Sequence, residues 1–421
     1  MRLLRRLFER AGTAAPEPPA AAGAERRPVD LTSPSFVHDP YPVWDWLRRN
    51  DPAHVLPNGA LLLTCHADIA AALGDGRLAN RPSRFSAIGP RHRERRLSAD
   101  VAANILPFMD GDEHRDRRKA LAGAIRGAVA SADSLVQMLA RDHAQRFAGA
   151  GGGDVLAEFA TPFSWCVMTG MFGLPEKDGP DLAGWSDAFF RLFAPATSRE
   201  ALDETDAALG RFREYFLAAL ASADGETLLA ALKRLADDGV MTFVEAADAA
   251  MLIYADGIEN VDALVANALI ALRDNPVWHG RLMDEPSMAS AVIEETLRYD
   301  TPGQVIARIA GVDCEIAGRS VRAEMPVLLA LGSANRDETV WPDAGMFDPA
   351  RRQSPQHLSF GAGRHGCLGA RLVRMKATAA LAELAAACST ISVTNERLEW
   401  RPRFGHRWVD ALPVSATARR G

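Results

Sequence analysis

Residues 360–369 read FGAGRHGCLG, and a run with helical composition, ARLVRMKATAALAELAAA, follows directly. Gly361, Gly363 and Gly366 form the pattern G-x-G-x-x-G, which binds a dinucleotide pyrophosphate when it joins a strand to a helix. Cys367 comes one residue after the last of these glycines. The stretch therefore raises two alternatives: a loop that binds phosphate, or a loop that presents a thiolate.

A dinucleotide-binding loop requires a buried strand before it and, after its helix, a second strand that ends in an acidic residue. The residues that precede this loop, QSPQHLSF, are few and polar. The chain that follows holds one predicted helix and scattered strand pieces, which is too little for a doubly wound sheet. We therefore interpret the glycine pattern as accidental.

The thiolate alternative explains more of the same residues. Cys367 precedes a predicted helix N-terminus, where free N–H groups and the helix dipole stabilise negative charge on sulfur. The glycines let the backbone approach a large flat ligand closely. Arg364 and His365 supply groups that bind carboxylates at the edge of such a ligand. A haem with an axial cysteine has these requirements.

The complete string of the loop resembles the haem-binding loop of the cytochrome P450 family. The resemblance implies a mainly α fold with a minor β region, arranged as the single-domain cytochrome P450 fold, and haem b as the cofactor. It also implies that Cys367 is the iron ligand. The other loop residues that this resemblance assigns to the haem site are Phe360, Gly361, His365 and Gly369.

Motifs elsewhere follow the order found in the family. Glu295-x-x-Arg298, followed by Arg351 in FDPAR, resembles the family's buried ion-pair network behind the haem, which has a structural role. Alone, a Glu and an Arg three residues apart are typical of many solvated helix faces. Their place before the cysteine loop is what makes the pair informative.

Three more residues resemble the family's propionate-binding groups. His114 and Arg118 lie at i and i+4 of a predicted helix, hence on one face, and Arg308 lies in the strand-like VIARIA. Without the resemblance, the first two would be typical of a charged surface helix. The resemblance spans roughly residues 38 to 415.

The segment MLIYADGIENVDALVANALIAL resembles the family's long distal helix, which usually carries Ala-Gly-x-acid-Thr. Gly257 and Glu259 match the small residue and the acid, whereas Asp256 replaces Ala and Asn260 replaces Thr. Asp256, Glu259, Asn260 and Asn267 share one side of the helix, and carboxylates seldom lie in an interior without partners. We expect this stripe to face the haem and to supply protons and water, with Gly257 leaving space for dioxygen.

The missing Thr leaves the mechanism open, because an amide holds water but does not ionise or relay a proton as a hydroxyl does. Water held by Asn260 and Glu259 can deliver the protons, or the substrate can supply the polar group. Alternatively, the enzyme performs an atypical oxidation such as coupling, desaturation or peroxide-driven oxidation. A non-catalytic haem-thiolate sensor or binding protein is the competing class.

Composition limits the function further. The net charge of -6 gives no basic excess for nucleic acid, and the five cysteines contain no C-x-x-C pair, which suits a reducing cytoplasm. No run is long and apolar enough to span a bilayer. We expect residues 1–31 to form a basic amphipathic tail and a disordered linker, and residues 32–421 to form one haem-thiolate monooxygenase domain.

Hydrophobic periodicity predicts mostly helices. Residues 80–105 show no clear period and are predicted to form an irregular loop. Strands are predicted between 305 and 331 and near the C-terminus. The predicted helices cover 112–130, 132–148, 153–172, 180–195, 199–223, 225–237, 243–273, 276–284 and 286–300.

We expect a monomer that receives electrons from a separate ferredoxin and ferredoxin reductase. The residues expected to meet an acidic ferredoxin are Arg364, Arg371, Arg374 and Lys376.

The substrate is expected to be a small molecule, or a molecule bound to a carrier or peptide. By resemblance, its contacts come from 80–105, the helices between 175 and 215, 301–307 and 404–409. Basic residues in the first of these segments suggest an acidic or carrier-bound substrate, although a solvated basic loop explains them as well. These residues are Arg91, His92, Arg93, Arg95 and Arg96.

Overall fold

The computed structural model describes residues 29–84, 86–193, 198–352 and 354–420. Residues 1–28, which hold nearly all of the expected tail and linker, lie outside the described part of the chain. Val29 and Leu31 are buried against the smaller of two apolar cores. Packing of the folded domain therefore reaches at least to Val29.

Helices make up most of the described chain, which confirms the predicted fold class. The predicted helices over 112–130, 132–148, 243–273 and 276–284 differ from the observed ones by at most one residue at either end. In chain order the helices are α1 (Pro34–His38), α2 (Tyr41–Asn50), α3 (His66–Gly74), α4 (Leu97–Asn104), α5 (Gly111–Ser131), α6 (Asp133–Gly149), α7 (Thr161–Phe172), α8 (Gly179–Phe190), α9 (Arg199–Ala221), α10 (Leu228–Asp237), α11 (Phe243–Arg273), α12 (Pro276–Asp284), α13 (Ala289–Tyr299), α14 (Leu331–Ala334) and α15 (Ala370–Ala387).

Three small sheets accompany the helices in the described ranges. The strands are β1 (Ala53–Val55), β2 (Leu61–Leu63), β3 (Leu78–Ala79), β4 (Gly152–Asp154), β5 (Val305–Ala310), β6 (Cys314–Ile316), β7 (Arg319–Val321), β8 (Pro326–Ala330), β9 (Cys388–Val393) and β10 (Pro413–Ala418). The largest sheet has the order β1-β2-β8-β5-β3, in which β2 and β8 are parallel and the other pairs are antiparallel. The second sheet has the order β4-β10-β9, and in the third β6 pairs with β7.

Helix α11 runs through the larger core. A capping box begins it: Thr242 Oγ1 accepts a hydrogen bond from the Glu245 N–H at 3.2 Å, and Glu245 Oε2 accepts one from the Thr242 N–H at 2.7 Å. Most of its residues are buried. Polar side chains along a helix that is surrounded by protein require a partner or a ligand. No helix in the described ranges is long and apolar enough to cross a membrane.

The segment predicted to be wholly irregular, 80–105, is partly helical. It contains α4, whose Ser98, Ala99, Val101 and Ala102 are buried. The short length of this helix and its uneven apolar spacing explain why periodicity did not reveal it.

The predicted ion-pair network is confirmed. Arg298 and Glu295 are both fully buried, with 2.7 Å between Nη2 and Oε1, and Arg351 approaches the same carboxylate at 3.4 Å. Arg298 also donates to the carbonyl oxygens of Asn335 at 2.9 Å and Ala344 at 2.8 Å. One guanidinium thus joins α13 to the coil that leads into the glycine loop.

We predict that Glu295→Ala lowers the free energy of unfolding by about 3–5 kcal/mol, because it leaves the Arg298 charge buried and uncompensated. Denaturant unfolding followed by circular dichroism measures this loss. Lys233→Met removes the surface pair with Asp237 and serves as the control, with an expected loss of less than about 1 kcal/mol. An equally small loss for Glu295→Ala would contradict the structural role.

Candidate active site

Two left-handed residues shape the glycine loop. Gly361 has φ +62° and Gly363 has φ +67°, which residues with a Cβ rarely adopt. A Cβ on Gly363 would also lie 3.2 Å from the Leu73 carbonyl oxygen. The Cys367 N–H donates to the Phe360 carbonyl oxygen at 2.9 Å. The backbone therefore fixes Cys367 just before α15.

The Cys367 side chain is accessible to solvent, yet the protein that surrounds it, followed by the Asp256 carboxylate, raises its pKa to about 11. Accessibility together with burial among protein atoms indicates an internal cleft at the sulfur. The N–H groups of Gly369 and Ala370 point at the sulfur and lower the pKa by less than burial raises it. The helix terminus thus favours the thiolate, as the sequence predicts, but burial outweighs its effect. A metal cation would reverse this balance, because a coordinating thiol loses its proton.

Several of the expected propionate-binding residues meet beside the loop. The rings of His114 and His365 lie 4.0 Å apart, and His365 Nε2 hydrogen bonds to Asp110 Oδ1 at 3.0 Å. Arg118 donates through Nη2 to the Gly366 carbonyl oxygen. Helix α5 thus places the two residues of the i, i+4 pattern against the loop, as the sequence predicts.

Arg308 joins this cluster from β5. It is 6% exposed, and its guanidinium donates to the Ala307 carbonyl oxygen at 2.9 Å. Burial, followed by the neighbouring Arg364 charge, lowers the pKa of Arg308 to about 10. Arg364 itself donates to the carbonyl oxygens of Asp75 at 3.0 Å and Leu78 at 2.8 Å.

This cluster holds more positive charge than its carboxylate balances. Within the described ranges, Asp110 is the one carboxylate that pairs or hydrogen bonds with it, against the guanidinium groups of Arg118, Arg308 and Arg364. His114 Nε2 is buried without a hydrogen-bond partner, and burial lowers the pKa of His114 to about 4. Ligand carboxylates would balance the excess positive charge and give His114 Nε2 a hydrogen-bond partner. The residues therefore fit the propionates of a haem.

Asp256 and Asn260 lie one turn apart on α11, and both are half-buried. Neither side chain makes a hydrogen bond or ion pair in the part of the chain that the structure describes. Burial raises the pKa of Asp256 to about 7. The Asp256 carboxylate in turn raises the pKa of Cys367, so the two groups interact electrostatically.

Glu259 has a different partner. Its carboxylate accepts a hydrogen bond from Arg403 Nη1 at 2.7 Å, and Arg403 Nη2 donates to Asp187 at 2.9 Å. Burial, only partly offset by Arg403, raises the pKa of Glu259 to about 7. Glu259 and Asp187 line a cavity of about 150 Å³ beside α11. The residues of the predicted stripe therefore differ in their surroundings: Glu259 is paired with Arg403, whereas Asp256 and Asn260 are not paired with any described residue.

Two expectations for this region do not hold, and a third stays a prediction. A Cβ on Gly257 would lie 2.4 Å from the Met168 sulfur, so the absent side chain lets α7 pack closely, and the space for dioxygen at Gly257 stays a prediction. Asn267 is fully buried and donates to the Asp300 carbonyl oxygen at 2.9 Å, which satisfies it within the core. Lys376, expected on the ferredoxin-facing surface, is fully buried because its amine binds backbone carbonyls.

The segments expected to contact the substrate come together. Arg96, just before α4, pairs with Asp206 of α9 at 3.1 Å. Gly303 forms a β-bridge with His406, whose ring centroid lies 6.4 Å from that of Phe190 in α8. All four segments thus belong to one part of the fold.

Sequence reasoning missed Asp110 and Arg403. Asp110 lies four residues before His114, and that spacing could have indicated that it approaches the same site. Arg403 and its partner Glu259 are 144 residues apart, and no local pattern predicts such a pair.

Comparison with known proteins identifies the family. A model described as Cytochrome P450 matches residues 235–393, which include Asp256, Glu295 and Cys367. Nocardicin C N-oxygenase of Nocardia uniformis subsp. tsuyamanensis is 32% identical over 394 residues, covering 90% of this chain and 96% of the relative. The chain belongs to the cytochrome P450 family.

Solved structures agree with this assignment. CalO2 superposes with a TM-score of 0.86 at 30% identity, covering 93% of this chain and 99% of that chain. P450BioI, solved in complex with an acyl carrier protein ligated with hexadec-9Z-enoic acid, has a TM-score of 0.83 at 27% identity, with coverage of 92% and 100%. This cytochrome P450 is a haem b enzyme and an oxidoreductase of the monooxygenase type.

We predict that His114→Phe speeds loss of haem to an acceptor protein about 10- to 100-fold, because a hydrogen bond to a charged group contributes about 1.5–3 kcal/mol. The rate is followed by the change in haem absorption after mixing. Arg115→Met, an exposed neighbour on α5, is the control. Equal rates in the two variants would exclude His114 from the haem site.

Proposed function

We propose that this cytochrome P450 oxidises a natural-product or other biosynthetic substrate, with Cys367 as the axial iron ligand. The observation that carries the proposal is the unbalanced cationic cluster beside the Cys367 loop, with His114 Nε2 buried next to it and unpaired within the described ranges. When bound, the haem supplies dioxygen activation, which its thiolate ligand favours.

The chain's own residues hold the cofactor in this proposal. Two basic elements, α5 and β5, and the glycine loop converge where the propionates would lie, and the loop backbone approaches the flat face. The propionate-binding residues are His114, Arg118, Arg308 and His365; the loop residues against the haem are Phe360, Gly361 and Gly369.

Asp256 is the acid that we assign to proton delivery in the cleft. With a pKa near 7, its carboxyl can hold a proton on Oδ and release it at neutral pH. Asn260, one turn further, can hold a water molecule through its amide but cannot ionise. Glu259 is held by Arg403 and lines the adjacent cavity, and we propose that it exchanges protons there rather than at the iron. Gly257 lets α7 pack closely against α11, and we propose that it also leaves space for dioxygen.

The proposal includes an atypical oxidation. An aspartate where the family usually has Ala, followed by an amide where it has Thr, changes how protons reach the cleft. We therefore propose that the reaction is oxidative coupling or desaturation, with simple hydroxylation as the alternative. Product analysis distinguishes these, since only hydroxylation adds oxygen to the product.

Relatives and surface charge both bear on the substrate. The name of one relative describes N-oxygenation of nocardicin C, and one similar structure holds an acyl carrier protein. In this chain Arg93 pairs with Asp100 at 2.8 Å, and Arg96 with Asp206 at 3.1 Å. Because these pairs neutralise much of the basic loop, we propose a free small molecule as the substrate, with a carrier-bound one as the second candidate.

A titration of the ferric protein tests the proposed substrate class. The panel holds amino acids, short peptides, terpenoids, macrolides, fatty acids and carrier-bound acyl groups, and the haem absorption band reports displacement of water. A shift with one class of free molecule supports the first candidate, and a shift only with carrier-bound ligands supports the second. Bound haem that consumes no dioxygen with any donor or ligand would favour a non-catalytic sensor.

We propose that a ferredoxin and its reductase deliver the electrons. Of the residues expected to form the docking face, Arg371 is exposed, whereas Arg374 is paired with Glu294 at 2.7 Å and Arg364 is bound to backbone carbonyls. We therefore propose that Arg371 contacts the ferredoxin.

We predict that Asp256→Asn lowers product formed per electron consumed by about 10²-fold at pH 6, because the amide cannot release a proton. In the wild type this coupling should fall as the pH rises through about 7, since the carboxyl ionises, and Asp256→Asn should lose that fall. Glu259 titrates in the same range. If Asp256→Asn keeps the wild-type pH dependence of coupling, Asp256 is not the proton donor and Glu259 takes that role.

Asn260→Thr restores the residue usual in the family and tests the amide separately. We predict a change in coupling or in product, because the hydroxyl donates and accepts at one atom and so relays protons differently. Chromatography of products and the ratio of product to electrons measure both. Unchanged rate, coupling and product would show that the amide has no special role.

A further inference from the structure

Lys376 is a fully buried lysine that the mechanism above does not use. It lies on α15, the helix that begins just after the Cys367 loop, and ranks among the largest fully buried side chains. Lysine is almost never fully buried unless its charge is paired. Its position therefore requires a specific reason.

The contacts of Lys376 join three helices. Its Nζ donates to the Gly257 carbonyl oxygen of α11 at 2.5 Å and to the Ser164 carbonyl oxygen of α7 at 3.2 Å, and it lies 5.9 Å from the Phe163 ring centroid. Burial lowers the pKa of Lys376 to about 7, and the Asp262 charge opposes that shift. The amine thus binds the backbone next to Asp256.

Asp262 completes this junction. It is held by hydroxyl hydrogen bonds from Thr161 at 2.7 Å and Ser164 at 2.6 Å. Burial raises the pKa of Asp262, and the Lys376 charge lowers it. The cavity that Glu259 lines also touches Asp262 and Thr161. A polar connection therefore runs from this cavity, between α7 and α11, to the Gly257 carbonyl.

Stability alone does not account for the lysine. Replacing buried charged groups by apolar side chains of similar volume is often neutral or stabilising. The Gly257 carbonyl, however, is part of the backbone that carries Asp256 and Asn260, and α15 follows Cys367. A link at this point connects α15 to the turn of α11 from which Asp256 and Asn260 project.

We propose that Lys376 is a positioning residue of the oxygen site: by holding the Gly257 carbonyl it fixes the directions in which Asp256 and Asn260 face Cys367. The inference rests on the proposed function, which assigns Asp256 and Asn260 to the oxygen site. The link itself can be tested without turnover.

The experiment compares haem-loaded, full-length Lys376→Met with the wild type. Methionine has a similar length and no donor. We expect amide hydrogen exchange in residues 256–261 to rise about tenfold or more, because a hydrogen bond from a charged group is lost. We also expect the ferric haem band to shift, with the melting temperature equal to or above that of the wild type. Lys233→Met, on the surface of α10, should change neither exchange nor the band.

Two further variants keep the test decisive. Lys376→Gln retains an N–H donor and should bring both exchange and the band back toward the wild type. Lys376→Met combined with Asp262→Asn removes the residual buried carboxylate, so it replaces the single variant if that one does not fold. Wild-type exchange and an unshifted band in the folded apolar variant would overturn the proposal. If the wild type oxidises no substrate, the proposed function fails, while the exchange result still decides the role of Lys376.

Discussion

Buried ionisable groups whose charges the neighbouring protein does not balance are the constraint on which the rest of this structure depends. Cys367 and Asp256 both have raised pKa values, because burial disfavours their charged forms. Beside the loop, guanidinium groups outnumber the Asp110 carboxylate, and His114 Nε2 is buried and unpaired. Haem is complementary to both regions, since its iron would bind the sulfur and its propionates would balance the cations.

The scaffold keeps these groups in place through contacts that are internally satisfied. Helix α11 is capped at Thr242 and buried along most of its length. Arg298 ties α13 to the coil before the glycine loop, and Lys376 ties α15 to α11. Unpaired groups can persist at the cleft because packing elsewhere determines the backbone, as expected where a site is organised for a ligand.

Features carried by contiguous residues were predictable, and features that depend on distant partners were not. The glycine loop was readable because Gly361, His365 and Cys367 lie within one short stretch. The direction of Lys376 was not, because α15 is rich in alanine and shows no clear apolar stripe, while the lysine's partners lie on α7 and α11. The same reason explains Glu259, whose position on the polar side of α11 did not reveal Arg403.

The central claim, that the cleft holds a haem whose iron is bound by the Cys367 sulfur, is tested most directly by iron-edge X-ray absorption on the purified ferric protein. The account predicts one sulfur ligand in the wild type and its replacement by a lighter atom in Cys367→Ser. An iron environment of nitrogen and oxygen alone in the wild type would contradict it.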